Sequence, residues 1–302
     1  VDGFFSRCSF LKKRTKRLLR IWREPIRRGR RQNRQEFFAS FFQKRSPFFP
    51  SIVVYAATQL LAAPAWAHRV VSLNLCTDQL LVLLAPEQVL ALEPLARDRN
   101  LSFVAEQAQK FPTVPADAEA VLRLHPDLVV AGDYGAQTTI AVLRLHGLRV
   151  VQFKEAEDFP AIESGIRQMA ALLDVPARGA AMVDTMQRQL SALAKPARPL
   201  TALYWEARGY TAGPGSLGNA LLQAAGLRNA GTGSVVGTET LLTHPPDLLV
   251  TQTAPNFPSL ATDLAESPMF GFIRHVRIPP NLVICGGPFT VRAAETLEQA
   301  SH

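Results

Sequence analysis

The chain has 302 residues, 47% of them hydrophobic, and a formal net charge of +8, which is enough apolar material for one large or two ordinary domains. The charge is concentrated at one end. Residues 1–45 hold 15 of the 33 Lys and Arg and three of the 25 Asp and Glu, and residues 46–67 hold none, which leaves 18 bases against 22 acids beyond them. A faintly acidic body excludes the broad basic face that nucleic-acid binding needs, whatever the whole-chain pI of 9.8 implies.

Residues 1–45, with LKKRTKRLLR and REPIRRGRR, show no steady apolar period. They read as a disordered extension or an upstream start-site artefact, with a cytoplasmic basic tail as the alternative. Residues 46–67 follow a basic pair and run uncharged to Ala65-Trp66-Ala67, an A-x-A cleavage site, so they read as a signal peptide with the mature chain starting near His68 in the periplasm. A retained transmembrane anchor is the alternative, since the run is long enough to span a bilayer. Pro50, Gln59, Pro64 and the small residues at its end favour cleavage.

From Arg69 onward short β-rich runs alternate with helical patterns: strand RVVSLN, helix TDQLLVLLA, strand QVLAL, a polar loop with Arg97 and Arg99, helix SFVAEQAQ, then EAVLRLHPDLVVAG, helix QTTIAVLRLHG and strand LRVVQF. Such alternation predicts a parallel α/β lobe over residues 68–158. Residues 160–196 form a helical linker, broken at Leu173-Asp174-Val175-Pro176; Asp174 is a candidate cap for a helix starting at Pro176 and running to Lys195, about 30 Å long. The alternation resumes over residues 197–302 as a second α/β lobe: strand LTALYW, a glycine-rich loop, helix NALLQAAG, ETLLTHPPDLLVTQ, helix SLATDLAES and strand NLVIC.

The second lobe repeats a phrase of the first 120 positions later, matching at Glu119/Glu239, Leu122/Leu242, Pro126/Pro246, Asp127/Asp247, Leu128/Leu248 and Val130/Val250. An acid in the first helical turn complements the dipole, with Asp117 and Thr238 as candidate caps, and Pro-Asp turns the chain into a buried strand. Local chemistry explains the Pro, the Asp and the apolar run. It does not require glutamate in particular, so two acids at matched helix starts also read as paired docking points.

Gly213-Pro214-Gly215-Ser216-Leu217-Gly218 fits G-x-G-x-x-G between a strand and a helix, which opens the alternative of a nucleotide-dependent oxidoreductase. Against it, the repeat places Glu239 at a helix start, whereas a ribose-binding acid belongs at the end of a strand. Cys76 and Cys285 each follow a predicted strand; they read as two buried thiols, a disulfide across a cleft, or soft metal ligands. The six histidines show no zinc-site spacing, no nucleophile elbow is present, and no catalytic constellation is found, so no enzyme is expected. Tyr134, Tyr204, Trp205 and Tyr210 suit a cleft holding an organic ligand, and loop arginines including Arg97 and Arg292 could meet an anionic one.

Taken together, RVVSLNLCTDQLLVLLAPEQVLAL, the two Glu-to-Pro-Asp phrases, the long helix between them and TAGPGSLGNALLQAAGLRNAG resemble the periplasmic solute-binding proteins of iron-chelate and cobalamin ABC importers, over about residues 69–295. The resemblance implies two Rossmann-like α/β lobes joined by a single long backbone helix, with a monomer holding its cargo in the cleft between them. Siderophore, haem or corrinoid would be that cargo, with no resident cofactor. It also implies that Glu119 and Glu239 dock with arginines on the two copies of an inner-membrane permease. The candidate ligand-binding set is Cys76, Thr77, Asp78, Arg97, Tyr134, Tyr204, Trp205, Tyr210, Cys285, Phe289 and Arg292. Cobalamin-binding members carry aromatics six positions before each docking glutamate, where this chain has Thr113 and Gly233, and can carry one where this chain has Gly132.

Overall fold

In the computed structural model, which describes residues 68–198, 200–253 and 267–302, the first strand, β1 (Val70–Ser72), is short because Asn74 turns the chain into helix α1 (Leu75–Leu84). The Asn74 carboxamide oxygen accepts from the backbone amides of Cys76 and Thr77, an N-cap that satisfies donors the helix itself cannot. The chain then lays down β2 (Val89–Ala91), α2 (Ala105–Ala108), α3 (Ala118–Arg123), β3 (Leu128–Gly132), α4 (Gln137–Leu145) and β4 (Val150–Phe153). The four strands are parallel, in the order β2-β1-β3-β4. Successive residues point to opposite faces: Val70, Leu128 and Val130 enter one core, while Val71, Val129 and Ala131 enter another. Both faces are therefore covered, as a parallel sheet requires.

Two helices connect this sheet to the next, α5 (Phe159–Leu172) and α6 (Pro176–Ala192), and they pack against each other. Asp174 does not cap α6. It adopts a left-handed φ of 58° just past the end of α5, where it stops that helix, and the residue preceding α6 is Val175, which offers no side-chain cap. The expected helix to Lys195 ends instead at Ala192, because Leu193 is already extended ahead of Pro196. At 17 residues α6 spans about 26 Å. Near its start Arg178 donates to the Leu84 carbonyl at 2.9 Å and pairs with Glu87; farther along it packs against α9 (Val291–Ser301) and the turn Pro288–Thr290.

The second sheet consists of β5 (Thr201–Tyr204), β6 (Arg228–Asn229), β7 (Leu248–Gln252) and β8 (Arg274–Ile278), parallel and in the order β6-β5-β7-β8. This is the first sheet's order again. Its described helices are α7 (Leu217–Ala224), α8 (Thr238–Thr243) and α9. The repeated phrase becomes α3-β3 in one lobe and α8-β7 in the other, each strand lying third in its sheet, with every bound displaced by 120 positions. Its aspartate has the same task in both lobes. Asp127 Oδ2 accepts from the Arg69 amide at 2.8 Å, and Asp247 Oδ2 accepts from the Thr201 amide at 2.7 Å, so each pins the start of the neighbouring strand. The hydroxyl and amide of Thr201 hold the Asp247 carboxyl below its ordinary value.

Three local expectations are corrected. Asp117 does cap α3, but Thr238 is the first residue of α8 rather than its cap, and Gly237 before it has no side chain to bond. The helix expected over SFVAEQAQ shrinks to four residues. NLVIC is not a strand: Pro279 and Pro280 precede it and set a short 3-10 turn, and the outer strand of the second sheet is β8, where exposed Arg277 stands between buried Val276 and Ile278. Residues 1–67, with the proposed signal peptide, and most of SLATDLAES lie outside the described residues.

Alternate residues of the second sheet also divide: Ala202, Tyr204, Leu248 and Val250 join the core that holds Val70 and Val130, while Leu203, Trp205 and Leu249 form a separate cluster. One hydrophobic core thus runs from the inner face of the first sheet through α5 and α6 to the inner face of the second.

Candidate functional site

The carboxyl ends of both sheets meet at a covalent bond. Cys76, on the first turn of α1, is joined to Cys285, beyond β8, by a disulfide with Cα atoms 5.2 Å apart. The reading of two buried thiols is corrected. Side-chain type favours burial for any cysteine, but only the packing of one lobe on the other decides whether two of them face each other.

Beside this bond lies a recess of about 150 Å3, lined from the first lobe by Asn74, Thr77, Asp133, Tyr134 and Lys154 among others, and from the second by Gly286. It sits at the ends of β1, β3 and β4, where open parallel sheets present their ligand crevice. Gly132 shapes it: a Cβ there would come within 2.8 Å of Asn74 Nδ2, so the glycine makes room for the amide that caps α1. That explains why no aromatic stands at 132. Another surface concavity, on α6 around Asp184 and Arg188, is lined by a single helix and gathers no convergent groups.

Only some of the expected ligand-binding residues reach solvent, and of the exposed tyrosines Tyr134 lines the recess. Tyr134, two residues past β3, is 74% exposed, and Tyr210, in the loop after β5, is 53% exposed. Tyr204 and Trp205 are buried, which corrects their assignment to the ligand. They are adjacent in β5 and at its end, so alternation sends one ring into each of the two covered faces, and the Trp205 indole donates to the Val236 carbonyl at 3.0 Å. Burial pushes the Tyr204 phenol well above its ordinary value, despite a bond to Gln252. Thr77 is buried, with its hydroxyl donating to the Asn74 carbonyl at 2.9 Å and lying 2.8 Å from the Ser72 hydroxyl. Asp78 is wholly buried, and Arg97 is half-buried and donates to the Phe111 carbonyl.

Phe289 and Arg292 do something else. The Phe289 ring stacks on Phe103 of the first lobe at 4.6 Å between centroids, and the exposed Arg292 guanidinium lies 4.9 Å over that Phe103 ring. With the Asn281 amide donating to the Arg99 carbonyl at 3.1 Å, they fasten lobe to lobe. Sequence reasoning missed Phe103, Asn74 and Gly286. Asn74 had a signal, an Asn before an apolar helical run; Phe103 had none, because its partner is 186 positions away.

Glu119 and Glu239 occupy the same position, the second residue of α3 and of α8, and both are exposed. Glu119 has only a loose 3.9 Å contact with Arg123. The glycine loop 213–218 is explained without a ligand. A Cβ at Gly213 would meet the Gly233 backbone at 2.7 Å, and the Ser216 hydroxyl takes the Asn219 amide at the start of α7, where a dinucleotide's phosphate would need free donors. Among the described residues no group of three or more His, Cys, Asp or Glu could hold a metal ion. None of the described helices is long and apolar enough to cross a membrane.

Comparison with known proteins adds the following. Residues 70–276 match a family model described as periplasmic binding protein. Cobalamin-binding proteins of two strains of Halobacterium salinarum are 32% identical over 148 residues, 45% of this chain and 40% of the length of these curated relatives. Among solved structures, a periplasmic heme-binding protein of Vibrio cholerae superposes with a TM-score of 0.65 at 18% identity, covering 77% of this chain and 98% of that one. A periplasmic vitamin B12-binding protein of Vibrio cholerae superposes with a TM-score of 0.58 at 17% identity, covering 78% and 96%. At these identities the likeness is one of fold.

Proposed function

The chain belongs to the periplasmic binding protein family, and on that premise we propose that it captures an iron chelate, haem or a corrinoid and delivers it to the permease of an ABC importer. The observation that carries this reading is the convergence of two parallel-sheet carboxyl ends on one cleft, with the exposed Tyr134 lining it. A recess of about 150 Å3 is smaller than the ~300–1,000 Å3 of an ordinary organic-ligand pocket. It therefore serves as the floor of the site, while a flat or chelated cargo extends outward over Tyr134 toward Tyr210. Aromatic faces suit porphyrin and corrin rings, and the phenols add hydrogen-bonding or iron-coordinating oxygens. The binding properties named for the similar proteins, cobalamin and heme, agree with this chemistry.

Delivery rests on Glu119 and Glu239. Each stands exposed on a helix start, one per lobe, where it can pair with an arginine on each half of a two-fold permease. Export by a cleavable signal peptide over residues 46–67 completes the reading, and the intact mass of the exported protein tests it directly. The nucleotide-dependent alternative loses its support in the self-packed loop 213–218.

The decisive experiment has two arms. Titration with haemin, a ferric chelate and cyanocobalamin, followed by their absorption bands, is expected to show saturable binding of one class. In the second arm, Glu119→Lys with Glu239→Lys abolishes permease binding and leaves cargo affinity unchanged. Tight binding of NAD(H) with none of the three chelates would overturn the assignment.

A further inference from the structure

The disulfide is a crosslink between lobes rather than within one, and its two ends differ. Cys76 is partly exposed and lines the recess, at the second position of the ten-residue α1; Cys285 is buried and is followed by Gly286-Gly287-Pro288. Gly286 packs against Ala156 and Ile162, so the bond holds a loop of the second lobe down on the first lobe and on α5. The other interlobe ties named above, the Phe103–Phe289 stack and the Asn281 hydrogen bond, are noncovalent.

We propose that Cys76–Cys285 is a redox modification site, a latch between the lobes that a dithiol reductant opens by entering through the recess. The incoming thiolate attacks Cys76 Sγ, the accessible sulfur; the Sγ–Sγ bond breaks and Cys285 leaves as a thiolate that takes up a proton. The reductant's second thiol then attacks its own sulfur in the mixed disulfide and releases Cys76. Two electrons pass to the cysteine pair and the reductant ends as a disulfide. The released Cys76 thiolate sits in the first turn of α1, whose dipole stabilises it and favours the reduced form. With the bond open, the 285–290 segment is held to the first lobe only by stacking and packing, and the cleft widens. The consequence for cargo rests on the proposed ligand site; the latch itself does not.

The test uses the exported protein isolated without reductant, followed by peptide-resolved alkylation and by amide hydrogen exchange. Cys76 and Cys285 are expected to be unlabelled at first and both labelled after dithiothreitol under native conditions. Exchange at residues 76–78, 103, 286, 287, 289 and 290 is then expected to rise about tenfold or more, while β3 and β7 remain protected. Cys76→Ser with Cys285→Ser reproduces that pattern without reductant. Resistance of the bond to dithiothreitol until the protein unfolds overturns the proposal, as does unchanged exchange after reduction. Failure of chelate binding overturns the cargo reading without touching either outcome.

Discussion

Asp78 carries the least comfortable charge described in the molecule. Its side chain is wholly buried, Oδ1 accepts from the Glu93 amide at 3.3 Å, and Oδ2 has no partner. Burial raises its carboxyl well above the ordinary value, and the Ser72 hydroxyl and the Glu93 amide pull only partly against that. The unfolded chain gives up this proton near pH 4, at about the ordinary 3.9, whereas the folded chain keeps it to higher pH. The contribution to stability is therefore complete below the unfolded value and is lost as pH rises through the folded one. Asp78→Asn, which cannot ionise, is expected to flatten the fall in stability as pH rises above about 4. Urea unfolding at several pH values checks this, and parallel slopes in the two proteins would refute it. The acid was legible in the sequence as a candidate ligand residue. Its burial was not, because that depends on the loop around Glu93 folding over α1.

At the scale of elements, the cap of α1 connects fold to site. Asn74 takes two amide donors at the helix start and also lines the recess, and Gly132 is the space its amide occupies. Asn74→Ala is expected to cost about 1 kcal/mol of stability, the usual worth of an N-cap, and to raise hydrogen exchange at Cys76 and Thr77 before anywhere else. A loss below a few tenths of a kcal/mol in denaturant unfolding would mean that the cap is replaced by water. The α3-β3 and α8-β7 units were readable in the sequence almost to their bounds, since caps, dipole and Pro-Asp turns act within a few residues. β8 and NLVIC were confused because both are short and apolar in part, and the choice between them depends on which run finds the open edge of β7.

For the whole molecule, the continuous core and the interlobe fastenings have a thermodynamic consequence. The inner faces of both sheets, α5 and α6 share one hydrophobic cluster, and the Phe103–Phe289 stack adds about 0.5–1.5 kcal/mol beyond the area it buries. Both lobes are therefore expected to unfold in a single cooperative transition, with calorimetric and van't Hoff enthalpies in agreement. Two resolved transitions in the oxidised protein would show that the lobes are independent. Low hinge freedom follows from the same contacts, so under the proposed function capture of cargo would rest on loops rather than on wide lobe closure.

The amino-acid sequence by itself determined the parallel α/β alternation, the duplicated Glu-to-Asp unit and the two exposed glutamates, because those follow from period, caps and turn chemistry over short spans. Only the tertiary structure decided which aromatics reach solvent and that Cys76 meets Cys285. Tyr204 and Trp205 are as aromatic as Tyr134 and Tyr210, but two covered sheet faces enclose the first pair and loop ends expose the second. Pairing across 209 positions likewise depends on how one lobe seats on the other, which no local pattern encodes.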